Sequence, residues 1–143
     1  MKSLYLLFLS LVFLSCEENP KKVKTSPTDN QNWITINGTN LKFTKSPLGQ
    51  FPYEKSVNVC NEMKIDTKEN WRLPSQEDLV KVYNHIKTNN IGGFGKRDYW
   101  SNSYSGMYNG VECYYRISFV DGSSNKYGYS NNEGYMVLCV TNR

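Results

Sequence analysis

The chain has 143 residues, of which 38% are hydrophobic, 14% aromatic and 21% charged. With 17 Lys and Arg against 13 Asp and Glu, the formal charge is +4, too weak and too scattered to mark a nucleic-acid-binding protein. The length leaves room for one domain, not two.

Lys2 is followed over residues 4–14 by an apolar run that only Tyr5 and Ser10 interrupt. A run this short does not span a bilayer; with its basic start and the small Ser15 it reads as a signal peptide over residues 1–15. The box Phe13-Leu14-Ser15-Cys16 resembles the lipobox of bacterial lipoproteins, with Phe13 where leucine is usual. The resemblance implies that Cys16 is diacylated and becomes the new N-terminus. The protein would then be held to a membrane by acyl chains, without spanning it, in a bacterial cell envelope at the outer membrane, facing the periplasm or the surface. An ordinary signal peptide with an incidental cysteine is the alternative. Residues 16–31 carry Glu17, Glu18, Pro20, Lys21, Lys22, Lys24, Pro27 and Asp29 with almost nothing apolar. They read as a tether that buries too little surface to order itself, and the folded unit is residues 32–143.

Within that unit Trp33-Ile34-Thr35-Ile36 and Leu41-Lys42-Phe43-Thr44 flank Asn37-Gly38-Thr39-Asn40, the pattern of a hairpin with a four-residue turn. Residues 45–52 hold Pro47, Gly49 and Pro52 and read as a connection. Val57, Cys60 and Met63 recur every three residues, which predicts a short helix over 53–64 with Cys60 facing inward. In Trp71-Arg72-Leu73-Pro74-Ser75, Trp71 and Leu73 supply apolar area and Pro74 turns the chain. Ser75 is placed to cap a helix by accepting from the backbone N–H of Asp78. Leu79, Val82, Tyr83 and Ile86 extend that helix from 76 to 86 or 87, and glycines 92, 93 and 95 follow in a loop. The period then becomes strand-like over 99–104, 111–120, 126–130 and 135–141, with Asp121-Gly122-Ser123-Ser124 as a turn. Two helices followed by antiparallel strands give an α+β fold.

In this order Cys60, the Trp71-Arg72-Leu73-Pro74-Ser75 core, Tyr99-Trp100-Ser101-Asn102-Ser103, Phe119-Val120-Asp121-Gly122 and Leu138-Cys139-Val140 resemble the Lcl C-terminal-like domain family, a domain of unknown function. They also resemble its relative, the major paralogous domain of fibrolytic bacteria. The resemblance implies a C-type-lectin-like domain with two short helices, a mainly antiparallel sheet and long loops, on an exported protein with no established enzyme activity. Some family members sit on adhesins that bind sulfated polysaccharides. Where members close on a valine-arginine-cysteine-valine-arginine strand, this chain has Val137-Leu138-Cys139-Val140-Thr141 and lacks the two basic residues. The lectin-like fold commonly ties its first helix to its last strand, which maps onto a Cys60–Cys139 disulfide and leaves Cys113 buried and free; three reduced thiols are the alternative.

Arg72 has three readings: it holds backbone carbonyls, pairs with a carboxylate such as Asp98 or Asp121, or binds a ligand anion. Trp100 is read as core. The lone His85 lies between polar neighbours and reads as a solvated surface residue, and no Cys-x-x-Cys, His-Glu-x-x-His or phosphate-loop spacing occurs. The stretch 125–133 is rich in Asn, but with Glu133 its only carboxylate it is a thin calcium site and reads as a polar loop. No metal, cofactor or catalytic residue is expected.

Eight of the 11 tyrosines fall between positions 99 and 135. Tyrosines interleaved with Asn, Ser and Gly suit a recognition surface, although they also fill strands by intrinsic preference. The candidate ligand contacts are Tyr104, Tyr108, Tyr127 and Tyr129 with Arg97. The sequence thus points to a non-enzymatic, lipid-anchored envelope protein with a recognition or adhesion domain, whose partner is a glycan or another envelope protein. The alternative is a structural accessory subunit of an envelope complex.

Overall fold

The computed structural model describes residues 31–65, 70–130 and 134–142. The signal-peptide and Cys16 lipidation readings, the tether apart from Gln31, and residues 131–133 of the polar stretch lie outside the described residues. No described helix is long and apolar enough to cross a membrane.

Trp33–Thr35 (β1) and Leu41–Thr44 (β2) form the expected hairpin, with Trp33 opposite Thr44. Gly38 turns the chain at φ 76°, a left-handed conformation that costs glycine little. The predicted connection over 45–52 contains a strand that periodicity cannot detect in three residues, Gly49–Phe51 (β3). Helix Tyr53–Asn61 (α1) stops short of residue 64, and helix Gln76–Thr88 (α2) runs slightly past its predicted end. Four further segments follow as Asp98–Tyr108 (β4), Val111–Ser118 (β5), Ser124–Tyr129 (β6) and Tyr135–Val137 (β7). The last predicted strand is in fact two, because Leu138 and Cys139 separate β7 from Val140–Asn142 (β8).

The strands make two sheets, β1-β2-β8 and β3-β7-β4-β5-β6. All pairings are antiparallel except β4 with β7. Between β4 and β5, Asn109 and Gly110 both take positive φ, 49° and 77°, as a two-residue turn matching the strand twist requires. The start of β4 is covered on both faces, so Tyr99, Trp100 and Ser101 are all buried. Tyr99 faces Leu79, Val82 and Ile86 of α2, with Phe43, Ile117 and Phe119 in the same apolar cluster. Trp100 faces the other way into a cluster with Cys60, Trp71, Leu73, Val137 and Cys139.

The Trp71-to-Ser75 segment leads from the Trp100 cluster into α2. Trp71, Leu73 and Pro74 are buried, and Arg72 exchanges backbone hydrogen bonds with Val140 at 2.9 Å in both directions. Ser75 caps α2: its Oγ accepts from Asp78 N at 3.1 Å, while Asp78 Oδ2 accepts from Ser75 N at 2.9 Å. The Arg72 guanidinium donates to Asp78 Oδ2 at 2.7 Å and also reaches the Leu73 carbonyl. Neither Asp98 nor Asp121 is its partner. Asp98 pairs with Arg116 at 2.9 Å, and Asp121 accepts from Ser123 N within its own turn.

Burial raises the Asp78 carboxyl, but its bonds to Arg72 and Ser75 prevail and hold it below its ordinary 3.8. A depressed folded value means stability that is present above 3.8 and lost as pH falls through the lower folded value. Asp78→Asn is expected to cost about 1–3 kcal/mol at neutral pH by breaking the cap and stranding Arg72. The gap from the parent protein in urea unfolding should close as the buffer is taken below pH 3.8; a constant gap would refute the assignment.

His85 departs from its expected surface role. It is half-buried, with its ring edge-on to Phe43 at 6.0 Å, and Asn89 Nδ2 lies 3.3 Å from its Nδ1.

Candidate functional site

Side chains alternate across a strand, so the register of β4, β5 and β6 decides which tyrosines share a face. Tyr104, Tyr114 and Gly128 are cross-strand partners and point to one side. Tyr127 and Tyr129 flank Gly128 and therefore point to the other. The Tyr108 ring joins them, edge-on to Tyr127 at 5.5 Å and to Tyr129 at 5.8 Å. The four tyrosines singled out by sequence are thus divided. Tyr108, Tyr127 and Tyr129 form one cluster, whereas Tyr104 packs edge-on to Tyr114, 5.8 Å away on the reverse face.

Arg97 belongs to neither group. It is exposed just before the first residue of β4, so Tyr104, seven residues on, is about 20 Å away at strand rise. It lines a separate cavity of about 320 Å³ with Gln50, Lys96, Asp98 and Tyr135. Grouping it with the tyrosines is therefore corrected by the length of β4.

Beside the three-tyrosine cluster, Tyr127 continues into an open groove of about 450 Å³ lined by Gln76, Tyr115, Ser124, Asn125 and Lys126. Tyr115 reaches this side because it follows Tyr114 in β5 and so points to the opposite face. Gln76, the first residue of α2, donates from Nε2 to Ser124 Oγ at 2.8 Å, which ties the helix start to β6. Asn125 Oδ1 accepts from Tyr127 N at 3.0 Å. The Lys126 ammonium lies 5.2 Å from the Tyr127 ring centroid, and Ser105 Oγ donates to the Lys126 carbonyl. These contacts fix the groove walls and leave the rings wet: Tyr108 is 45% and Tyr127 44% exposed.

The reverse face holds residues that sequence reasoning did not assign. Tyr53 at the start of α1 stacks on Tyr114 at 3.6 Å, and its ring also meets Trp100 edge-on at 5.4 Å. Tyr114 Oη donates to Glu112 Oε2 at 3.0 Å. Burial first, then the neighbouring Tyr114, push the Tyr53 phenol up from its ordinary ionisation; burial first, then the hydrogen bond to Glu112, raise that of Tyr114 against an opposing bond with Tyr53. Glu112 and Tyr114, two positions apart in one strand, were a same-face signal legible in the sequence; Tyr53 came with no local signal.

The expected structural residues are where the sequence placed them. Trp100 is fully buried, and its Nε1 donates to the Phe51 carbonyl at 2.9 Å. Cys60 is bonded to Cys139, and Cys113 is free and buried. Among the described residues no group of three or more His, Cys, Asp or Glu is arranged to hold a metal ion.

No family model and no curated protein matches the chain. Solved structures do. The C-type lectin CEL-I from Cucumaria echinata is similar over 78% of this chain and 95% of its own, at 10% identity with a TM-score of 0.51. An EPNH mutant of CEL-I matches over 79% of this chain and 96% of its own, at 12% identity with a TM-score of 0.49. Two helices, a largely antiparallel pair of sheets and the similarity to CEL-I establish that this chain has the C-type-lectin-like fold.

Proposed function

We propose that the domain is a non-enzymatic recognition module of a lipid-anchored envelope protein. We further propose that it binds a glycan on the Tyr108, Tyr127 and Tyr129 face and the adjoining Gln76, Asn125 and Lys126 groove. The observation that carries this reading is the mutual packing of three tyrosines that leaves Tyr108 and Tyr127 nearly half exposed beside an amide-lined groove. Rings held by one another offer rigid apolar area at little entropic cost, which suits the C–H face of a sugar, and side-chain amides both donate to and accept from hydroxyls. A lectin of the same fold supports the choice of ligand class. Cys16, in its lipobox-like setting, supports the anchor.

A glycan array probed with the purified protein tests the reading. Selective, saturable binding is expected, and Tyr127→Ala and Tyr108→Ala should each weaken it about tenfold or more, as loss of a central aromatic contact does. Tyr104→Ala, on the reverse face, should leave it unchanged. An array without hits, together with co-purification of the chain in a stoichiometric complex, would favour an accessory subunit instead. Retention in the membrane fraction should depend on Cys16; a Cys16→Ala protein that fractionates like the parent would remove the anchor from the proposal.

A further inference from the structure

On the reverse face, the first turns of α1 meet β5 across a cavity of about 430 Å³, within the range of small-ligand sites. Tyr53, Glu54, Val57 and Asn58 form one wall, and Glu112 and Tyr114 the other. It shares no residue with the Gln76 groove, so its chemistry is independent of the glycan reading.

The charge of this cavity is one-sided. No Lys or Arg among the described residues lines it, in a chain whose formal charge is +4. Among the described residues neither Glu54 nor Glu112 takes part in an ion pair. The Tyr114 hydroxyl bonds Glu112 Oε2, which leaves Oε1 available to a ligand. The Tyr53 and Tyr114 phenols stay protonated and neutral, since burial disfavours their charged forms.

Two carboxylates repel an anionic ligand, and they supply too few charged oxygens for a hard divalent cation. They match an organic ammonium ion, which donates charge-assisted hydrogen bonds to carboxylates and is attracted to aromatic rings. Asn58 and the Tyr114 hydroxyl add neutral partners for hydroxyl groups on the same molecule. We propose that the Tyr53, Glu54, Glu112 and Tyr114 cavity binds an ammonium group carried on a hydroxylated scaffold, the chemistry of an unacetylated amino sugar.

Calorimetric titration of the purified full chain with chitosan tetramer and with chitin tetramer, at mildly acid pH, tests this, because the two probes differ only in carrying ammonium or acetamide groups. The chitosan tetramer is expected to bind at least about tenfold more tightly, a preference that weakens with added salt. The Glu54→Gln/Glu112→Gln double variant should abolish the preference. Both residues are exposed, so an unchanged melting temperature verifies that the fold is intact. Tyr127→Ala should retain the preference, which separates this site from the tyrosine groove. Equal affinity for the two tetramers, no binding of the chitosan tetramer, or a preference that survives in the double variant would each overturn the assignment.

Discussion

Replacing Cys60 and Cys139 together by alanine is expected to lower the unfolding free energy by about 4 kcal/mol. The bond joins residues 79 positions apart, and closing so long a loop restricts the unfolded chain strongly. Few other contacts tie α1 to the end of the chain: the helix has nine residues and only Ser56 and Cys60 fully buried. A domain of this size has a total stability of roughly 5–15 kcal/mol, so the loss would take up a large share of it. Urea unfolding of the parent protein with a strong reductant should shift toward the midpoint of the double variant, whereas reductant should leave the variant unaffected. Cys113→Ala should preserve the reductant response, because Cys113 is free in β5 and its Sγ donates to the Val111 carbonyl. An oxidised parent no more resistant to urea than the double variant would show that the bond contributes nothing.

The cysteine pairing illustrates what chain order can and cannot convey. Spacing with Val57 and Met63 places Cys60 on the inner side of a helix, but only the family resemblance selected Cys139 over Cys113. Structure supplies the physical reason. Leu138 and Val140 turn into the cluster around α2, and Cys139 between them turns into the cluster under α1. The capped helix was legible for the opposite reason: Ser75, Asp78 and the apolar stripe of α2 all act within a few residues of one another. Strand β3 was hidden because its partner is β7, more than eighty residues on, and three residues carry no period.

The tyrosine surface was legible in composition and not in geometry. Strict alternation fails in β4, where register shifts lie between Trp100 and Tyr104 and again between Tyr104 and Gly106. Each such irregularity changes which side chains share a face. That is why Tyr104 parts from Tyr108; Arg97, close in sequence, is kept from both by the length of β4. Tyr53 entered the site only through the packing of α1 on β4 and β5, a contact for which residues 53 and 114 hold no mutual signal.

Trp100→Ala is expected to cost about 3–5 kcal/mol, the range for emptying a buried aromatic site. Trp100 is fully buried and packs edge-on to Tyr53 at 5.4 Å and to Tyr135 at 4.5 Å; its removal also leaves the Phe51 carbonyl without the indole donor. The ring fits because position 128 is glycine. A Cβ there would stand 2.5 Å from Trp100 Cζ3 and 2.7 Å from the Tyr114 carbonyl oxygen, so Gly128→Ala forces the indole, the β5 backbone or both to move, at about 1–3 kcal/mol. The two substitutions are therefore coupled with a definite sign. In the Trp100→Ala background the clash with the indole disappears and only the carbonyl contact persists, so Gly128→Ala should cost less there than in the parent protein. Denaturant unfolding of the parent, the two single variants and the double variant measures that difference directly. Strict additivity would mean that Gly128 is kept for the approach of the Tyr114 backbone, and that the indole has room without it. Because Tyr53 contacts both Trp100 and Tyr114, a folded Gly128→Ala protein should also bind the chitosan tetramer more weakly, while any glycan binding proposed for the Tyr108 and Tyr127 face across the sheet should be unchanged.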